Sequence, residues 1–189
     1  MTPKAFYTLA GVTAVALVAT GAAIASQYNA YSIQRPTDAS FFPALQEDRA
    51  AVAKLTIETP RYDLVLAKEG DSWVVANQGN YPVNSTQVAN LIDGLAALRP
   101  FEAKTTNPAL FPEVWVEDPD SENAASSFLS AENGAGEELA SLVVGKISNS
   151  IGFNPLGGTF VRKPGEEQVW LAEGRVGIPI SFTDWFQQI

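Results

Sequence analysis

The spacing of apolar positions changes character along this chain, and each change predicts a different element. Residues 5–26 run for 22 positions without a charge. At about 1.5 Å rise per residue, a helix of that length covers about 33 Å, enough for the roughly 30 Å hydrocarbon core of a bilayer. Beyond residue 50 the period drops towards two, which predicts half-buried strands at 51–59 (AVAKLTIET), 62–67 (YDLVLA) and 72–76 (SWVVA). Pro60-Arg61 and the run Lys68-Glu69-Gly70-Asp71 read as the turns between them. The period then lengthens to that of a helix. Val88, Leu91, Ile92, Leu95 and Leu98 share one helical face, Asn84 or Ser85 can cap its start, and Pro100 stops it.

A strand is predicted at 101–105, and Asn107-Pro108 begins a short helical turn that leads through 113–119 into a loop. Further strands are predicted at 126–131, 138–144, 159–162 and 169–172. Residues 145–158 read as a connection rich in Gly, Asn and Ser, with Gly145-Lys146 as a strand-ending turn, and Pro164-Gly165-Glu166 as a turn between two strands. Ser181 or Thr183 caps a final short helix at 184–188. The fold class is therefore α+β: an N-terminal transmembrane helix, then a β-rich domain with a twisted antiparallel sheet and one main amphipathic helix.

The domain organisation follows from the same pattern: an anchor at 1–26, a juxtamembrane linker and short helix at 27–50, and an exported domain at 51–189. A cleaved secretory signal is the competing reading of the first segment, with Ala23-Ile24-Ala25 as its small-x-small site. The length of the apolar run and the thin basic start, Lys4 alone, favour an uncleaved anchor. With Arg35 the nearest cation after the span, the positive-inside rule puts the N-terminus in the cytoplasm and the domain outside it. Ala10, Ala14, Gly21 and Ala25 can share one face of the span. Small residues let membrane helices approach closely, so this stripe is a surface for other transmembrane subunits; an alanine-rich helix lying free in lipid is the plainer alternative.

Composition narrows the chemistry. With neither Cys nor His, the chain has no disulfide, no thiol chemistry and no Ser-His or Cys-His nucleophile pair. The net charge is −9, and between Thr105 and Gly145 there are eight acids and no Lys or Arg. Such a surface repels phosphate backbones, so nucleic acid is not an expected partner.

The remaining motifs are weak. Asp118, Asp120 and Glu122 suggest a calcium loop, but an EF-hand needs Gly at its sixth position and Glu at its twelfth. Counting from Asp118, those positions hold Asn123 and Leu129, so a solvated acidic loop is the simpler reading. Gly145-Lys146-Ile147 lacks the first glycine and the hydroxyl of a phosphate loop. Arg162 and Lys163 read as edge-strand cations that discourage sheet-to-sheet pairing, or as contacts to an acidic partner or a lipid headgroup. Of the four tryptophans, Trp73 and Trp170 fall in apolar strands and belong to the core. Trp115 and Trp185, with Phe41 and Phe42, are the candidates for a partner surface, because aromatic anchors dominate interface energetics.

The run AKLTIET, the strand pair ending SWVVA, then YPVN and the helix QVANLIDGLAALRPFEAKTTNPALF resemble the bacterial domain-of-unknown-function family 4340. So do LASLVVGK, TFVRKPGEEQVWLAEG and the closing DWFQQI, in that order. The resemblance covers roughly residues 45–189, with Phe160 standing where the family often has Tyr. It implies a membrane-anchored or exported β-rich protein. Some members sit beside genes for ABC transporters of the gliding-motility type, and many continue into a second comparable module where this chain carries one.

The expected function is non-enzymatic: an accessory subunit that scaffolds an inner-membrane complex, without cofactor or metal. A periplasmic module binding a glycan or peptide is the alternative.

Overall fold

The computed structural model describes residues 40–149, 151 and 157–186. The predicted span at 1–26, with Ala10, Ala14, Gly21 and Ala25, and the linker up to residue 39 lie outside the described residues. Among the described residues no helix is long and apolar enough to cross a membrane.

Ser40 is where the described chain begins, and it is already part of the domain. Its Oγ donates to Ala96 O at 3.2 Å, and Phe41 N donates to Leu98 O at 3.1 Å. Pro43 occupies the first turn of helix α1 (Pro43–Glu47), where its missing N–H is no loss. Leu45 on that helix is fully buried. Four antiparallel strands follow: β1 (Val52–Glu58), β2 (Asp63–Glu69), β3 (Ser72–Val75) and β4 (Tyr81–Pro82). The alternation of apolar residues sets their register. Leu55 faces Leu66 and Ile57 faces Leu64, and all four are fully buried.

Asn84 caps helix α2 (Ser85–Ala97), its Oδ1 accepting from Thr86 N at 3.0 Å. Val88, Leu91, Ile92, Leu95 and Ala96 form the buried stripe that the sequence period predicts. Strand β5 (Arg99–Ala103) starts almost at once, two residues ahead of the predicted start, because Arg99 and Pro100 already pair with Glu173 and Ala172. A single 3-10 turn (Pro108–Leu110) and the short helix α3 (Phe111–Val114) lead to β6 (Ser127–Asn133), β7 (Glu138–Ser148), β8 (Gly158–Arg162) and β9 (Val169–Glu173).

Among the described residues the result is a β-rich domain with few helices and one antiparallel sheet of nine strands, in the order β4-β3-β2-β1-β6-β7-β8-β9-β5. Two meanders, β1–β4 and β6–β9, meet where β1 pairs with β6. Helix α2 carries the chain from one edge of the sheet to the other. The main core lies between α2 and the sheet. There Leu129, Ala131, Leu142 and Val144 join Leu55, Ile57, Leu64 and Leu66 against the α2 stripe. A smaller cluster of Phe111, Val116, Val143 and Val169 forms separately from it.

The helix expected at 184–188 lies partly outside the described residues, which end at 186. Those described form a 3-10 turn, Phe182–Trp185, closed by a capping box between Ser181 and Asp184. Its last residue, Trp185, is fully buried in the main core. The indole Nε1 donates to the Tyr62 hydroxyl at 3.0 Å, and that hydroxyl donates to Pro179 O at 2.5 Å. Asn84 N, at the head of α2, donates to Trp185 O at 2.8 Å.

Burial pushes the Tyr62 hydroxyl above the ordinary tyrosine value; the Asp184 carboxylate adds to the rise and the Trp185 N–H opposes it. The group is thus held more firmly in its protonated form when folded. Its contribution is complete below about pH 10 and is lost as pH rises through the folded-state value. A urea titration repeated across alkaline pH should show stability falling in that window, with Tyr62→Phe flattening the fall. A parent and variant of identical slope would show that the hydroxyl is not linked to folding.

Candidate functional site

Between β5 and β6 the chain runs over β7, β8 and β9, and the fold fastens this segment at several points. At its start Lys104 N donates to Val169 O at 2.9 Å, and Val169 N donates to Thr105 O at 2.8 Å. Asn107 Oδ1 accepts from Ala109 N at 3.1 Å, which fixes the turn into α3. The α3 helix ends at Trp115, in the left-handed region at φ 59° and ψ 46°. A bulky residue in that conformation costs of order 1–3 kcal/mol, so the surroundings must impose it.

Gly145 shows how they do so. A Cβ there would lie 2.3 Å from Val114 O and 2.8 Å from Trp115 O. Only glycine lets strand and segment come this close. The sequence reading placed a strand-ending turn at Gly145-Lys146; instead β7 continues to Ser148. The pairing with β8 shifts between Val144 and Ile147, a bulge that contains both residues. Lys146 then reaches across the segment: its Nζ donates to Glu113 O at 2.7 Å and sits 4.9 Å from the centre of the Trp115 ring.

Arg162 is the second fastening. The edge-strand reading fails, because β8 lies between β7 and β9 and Arg162 is only 3% exposed. Its Nε donates to Val116 O at 2.8 Å, its Nη1 to Glu166 O at 3.0 Å, and its Nη2 to Asp118. The guanidinium carbon lies 4.9 Å from the centre of the Phe111 ring. The guanidinium therefore holds the segment from below, and the surface gains no free cation from it.

Beside this segment is a groove of about 630 Å³. Pro108, Phe111 and Pro112 form its apolar wall, and Glu117, Asp118, Glu122, Glu166 and Glu167 supply carboxylates around it. Leu110 and Trp115, on the same segment, are 47% and 45% exposed.

The other candidate residues fall elsewhere. Trp185 and Phe42 are core residues, with Phe42 7% exposed and Trp185 wholly covered, so neither offers its ring to a partner. Phe41 packs edge-on against Trp170, with ring centres 6.3 Å apart. Trp73 is buried in the main core and Trp170 packs against it, as expected from the sequence. Among the described residues no three acids gather to hold a metal ion, and Asp118 is turned to Arg162. Of the four exported-domain residues singled out from sequence, Trp115 alone is a large exposed aromatic. The groove had no sequence signal beyond the acidic run, because its remaining side, with Glu166 and Glu167, comes from a turn about 50 residues beyond the wall.

These features define a β-rich domain built on one large antiparallel sheet, with a loop segment stapled across part of it. The family described as Domain of unknown function (DUF4340) matches residues 73–188, more than half of the chain, and the protein belongs to that family. The matched region starts inside β3, so β1 and β2 precede it. No curated protein and no solved structure matches the chain.

Proposed function

We propose that this protein is a non-enzymatic, single-pass subunit of a bacterial inner-membrane complex, and that its domain scaffolds the complex from the periplasmic side. In this reading residues 1–26 anchor it with the N-terminus in the cytoplasm, and the face of Ala10, Ala14, Gly21 and Ala25 packs against transmembrane helices of other subunits.

The observation that carries the proposal is Trp115. A 45% exposed tryptophan is held in a left-handed turn by a glycine-only contact and a lysine over its ring. A rigid, presented tryptophan, with another exposed apolar residue, Leu110, on the same segment, is the kind of anchor on which protein interfaces concentrate their energy.

The test is purification of the full chain in mild detergent with mass measurement of what elutes beside it. The parent should elute with other membrane subunits, and Trp115→Ala should release them. The variant loses one exposed cation–π contact, so its stability should change by less than about 1 kcal/mol. Elution of the parent as a lone monomer overturns the subunit reading. A periplasmic module for a glycan or peptide, auxiliary to an ABC transporter of the gliding-motility type, is the second reading, and the groove against α3 favours it. A specific glycan hit with no co-purifying subunit would decide for it.

A further inference from the structure

We infer that the groove beside α3 receives a basic, apolar-centred segment of a partner protein, with an apolar side chain against Pro108 and Pro112 and lysines or arginines against the carboxylate rim. The inference rests on the reading of this domain as a docking subunit and names the chemistry of what docks.

The wall is Pro108, Phe111 and Pro112, three rigid side chains with no hydrogen-bonding group among them. Such a wall favours an apolar side chain or the methylene stem of a lysine or arginine. The rim selects for charge. Five carboxylates line the groove against one guanidinium, that of Arg162. Arg162 is 3% exposed and donates to Val116 O, Glu166 O and Asp118, so it offsets one carboxylate of the rim and leaves four. Glu122, Glu166 and Glu167 are exposed, and the segment from Thr105 to Gly145 holds no cation of its own. Lys146, the next residue, is committed to Glu113 O and the Trp115 ring. A concave surface lined by one sign of charge concentrates its field and draws the opposite sign. An acidic segment would meet that repulsion along the whole rim, and a neutral one would gain nothing from it. The occupant with complementary chemistry on both counts is therefore basic and partly apolar.

The experiment uses the full chain in mild detergent and two fluorescent peptides that alternate leucine with a charged residue, lysine in one and glutamate in the other. The lysine peptide should bind and the glutamate peptide should not. Raising the salt from about 50 mM to about 300 mM should weaken binding, since exposed charges are screened. The double variant Glu122→Lys/Glu167→Lys should weaken the lysine peptide by about tenfold or more. A control, Glu58→Lys/Glu69→Lys, makes the same change in net charge on β1 and β2 and should leave affinity nearly unchanged. Equal binding of both peptides overturns the inference, and so does equal weakening by the two double variants, which would make the effect one of net charge alone. The two readings fail separately. If Trp115→Ala releases the membrane subunits while neither peptide is preferred, the docking reading stands and this inference falls. If the lysine peptide binds as described while the full chain elutes alone, the groove stands and the subunit reading falls.

Discussion

Replacing Trp185 with alanine should destabilise the domain by about 3–5 kcal/mol, the range for deleting a buried aromatic side chain. The indole is completely enclosed and is the largest fully buried side chain among the described residues. Its loss opens a cavity between the head of α2 and the sheet, and it removes the N–H that the Tyr62 hydroxyl accepts. The hydroxyl still donates to Pro179 O, and the main-chain bond from Asn84 N to Trp185 O survives, so the chain end stays tethered while the space beside it empties. For a domain whose total stability is of order 5–15 kcal/mol, the loss is a large fraction. Urea unfolding followed by far-ultraviolet circular dichroism should show the midpoint falling sharply, with Trp185→Phe recovering part of it. A midpoint unchanged in Trp185→Ala would show that the ring is not part of the core.

Arg162→Met should cost about 2–4 kcal/mol, chiefly because it strips the donor from a buried carbonyl. The acceptor that decides the figure is Val116 O, on a residue with no exposed surface; Glu166 sits at an exposed turn where water can substitute. The ion pair with Asp118 contributes less than its short contact suggests. The Asp118 side chain is 63% exposed, and solvent screens such a pair to about 1 kcal/mol or below. The two variants therefore separate the effects. Asp118→Asn should shift stability by less than about 1 kcal/mol, whereas Arg162→Met should also make residues 116–126 sensitive to limited proteolysis. Equal losses from the two would mean that the charge pair, and not the carbonyl contacts, holds the segment.

What could be read from the sequence was local. Helix α2 was readable because Asn84, the stripe from Val88 to Leu95 and Pro100 carry its start, its face and its end within 17 residues. The hairpin of β2 and β3 was readable for the same reason, since Gly70 takes a positive φ of 62° in the turn between them. Trp185 misled because its neighbours Thr183, Asp184 and Gln187 are polar, and the partner that explains its burial, Tyr62, lies more than 120 residues away. Arg162 misled because two of its acceptors are main-chain carbonyls and its acid, Asp118, lies 44 residues away. Gly145 reads as a turn signal in isolation, and only the crossing of the segment at Val114 and Trp115 shows why a strand needs it. The strand order was likewise hidden, because periodicity says which face a residue presents and nothing about which strand lies beside it.

The seam between β1 and β6 has a consequence for how the protein is made. Leu55 and Ile57 pair with Ala131 and Leu129, more than 70 positions later. As a chain emerges from its N-terminal end, β1 to β4 can form their local hairpins within microseconds to milliseconds, long before β6 exists. Through that interval β1 has one side unpaired, an apolar strand edge of the kind that adds to neighbouring chains. The first meander, complete at Pro82, must therefore wait, shielded or bound, for roughly 50 further residues, which take seconds to arrive at ordinary synthesis speeds. The strand that completes the centre of the sheet is thus also the one that closes its most adhesive intermediate.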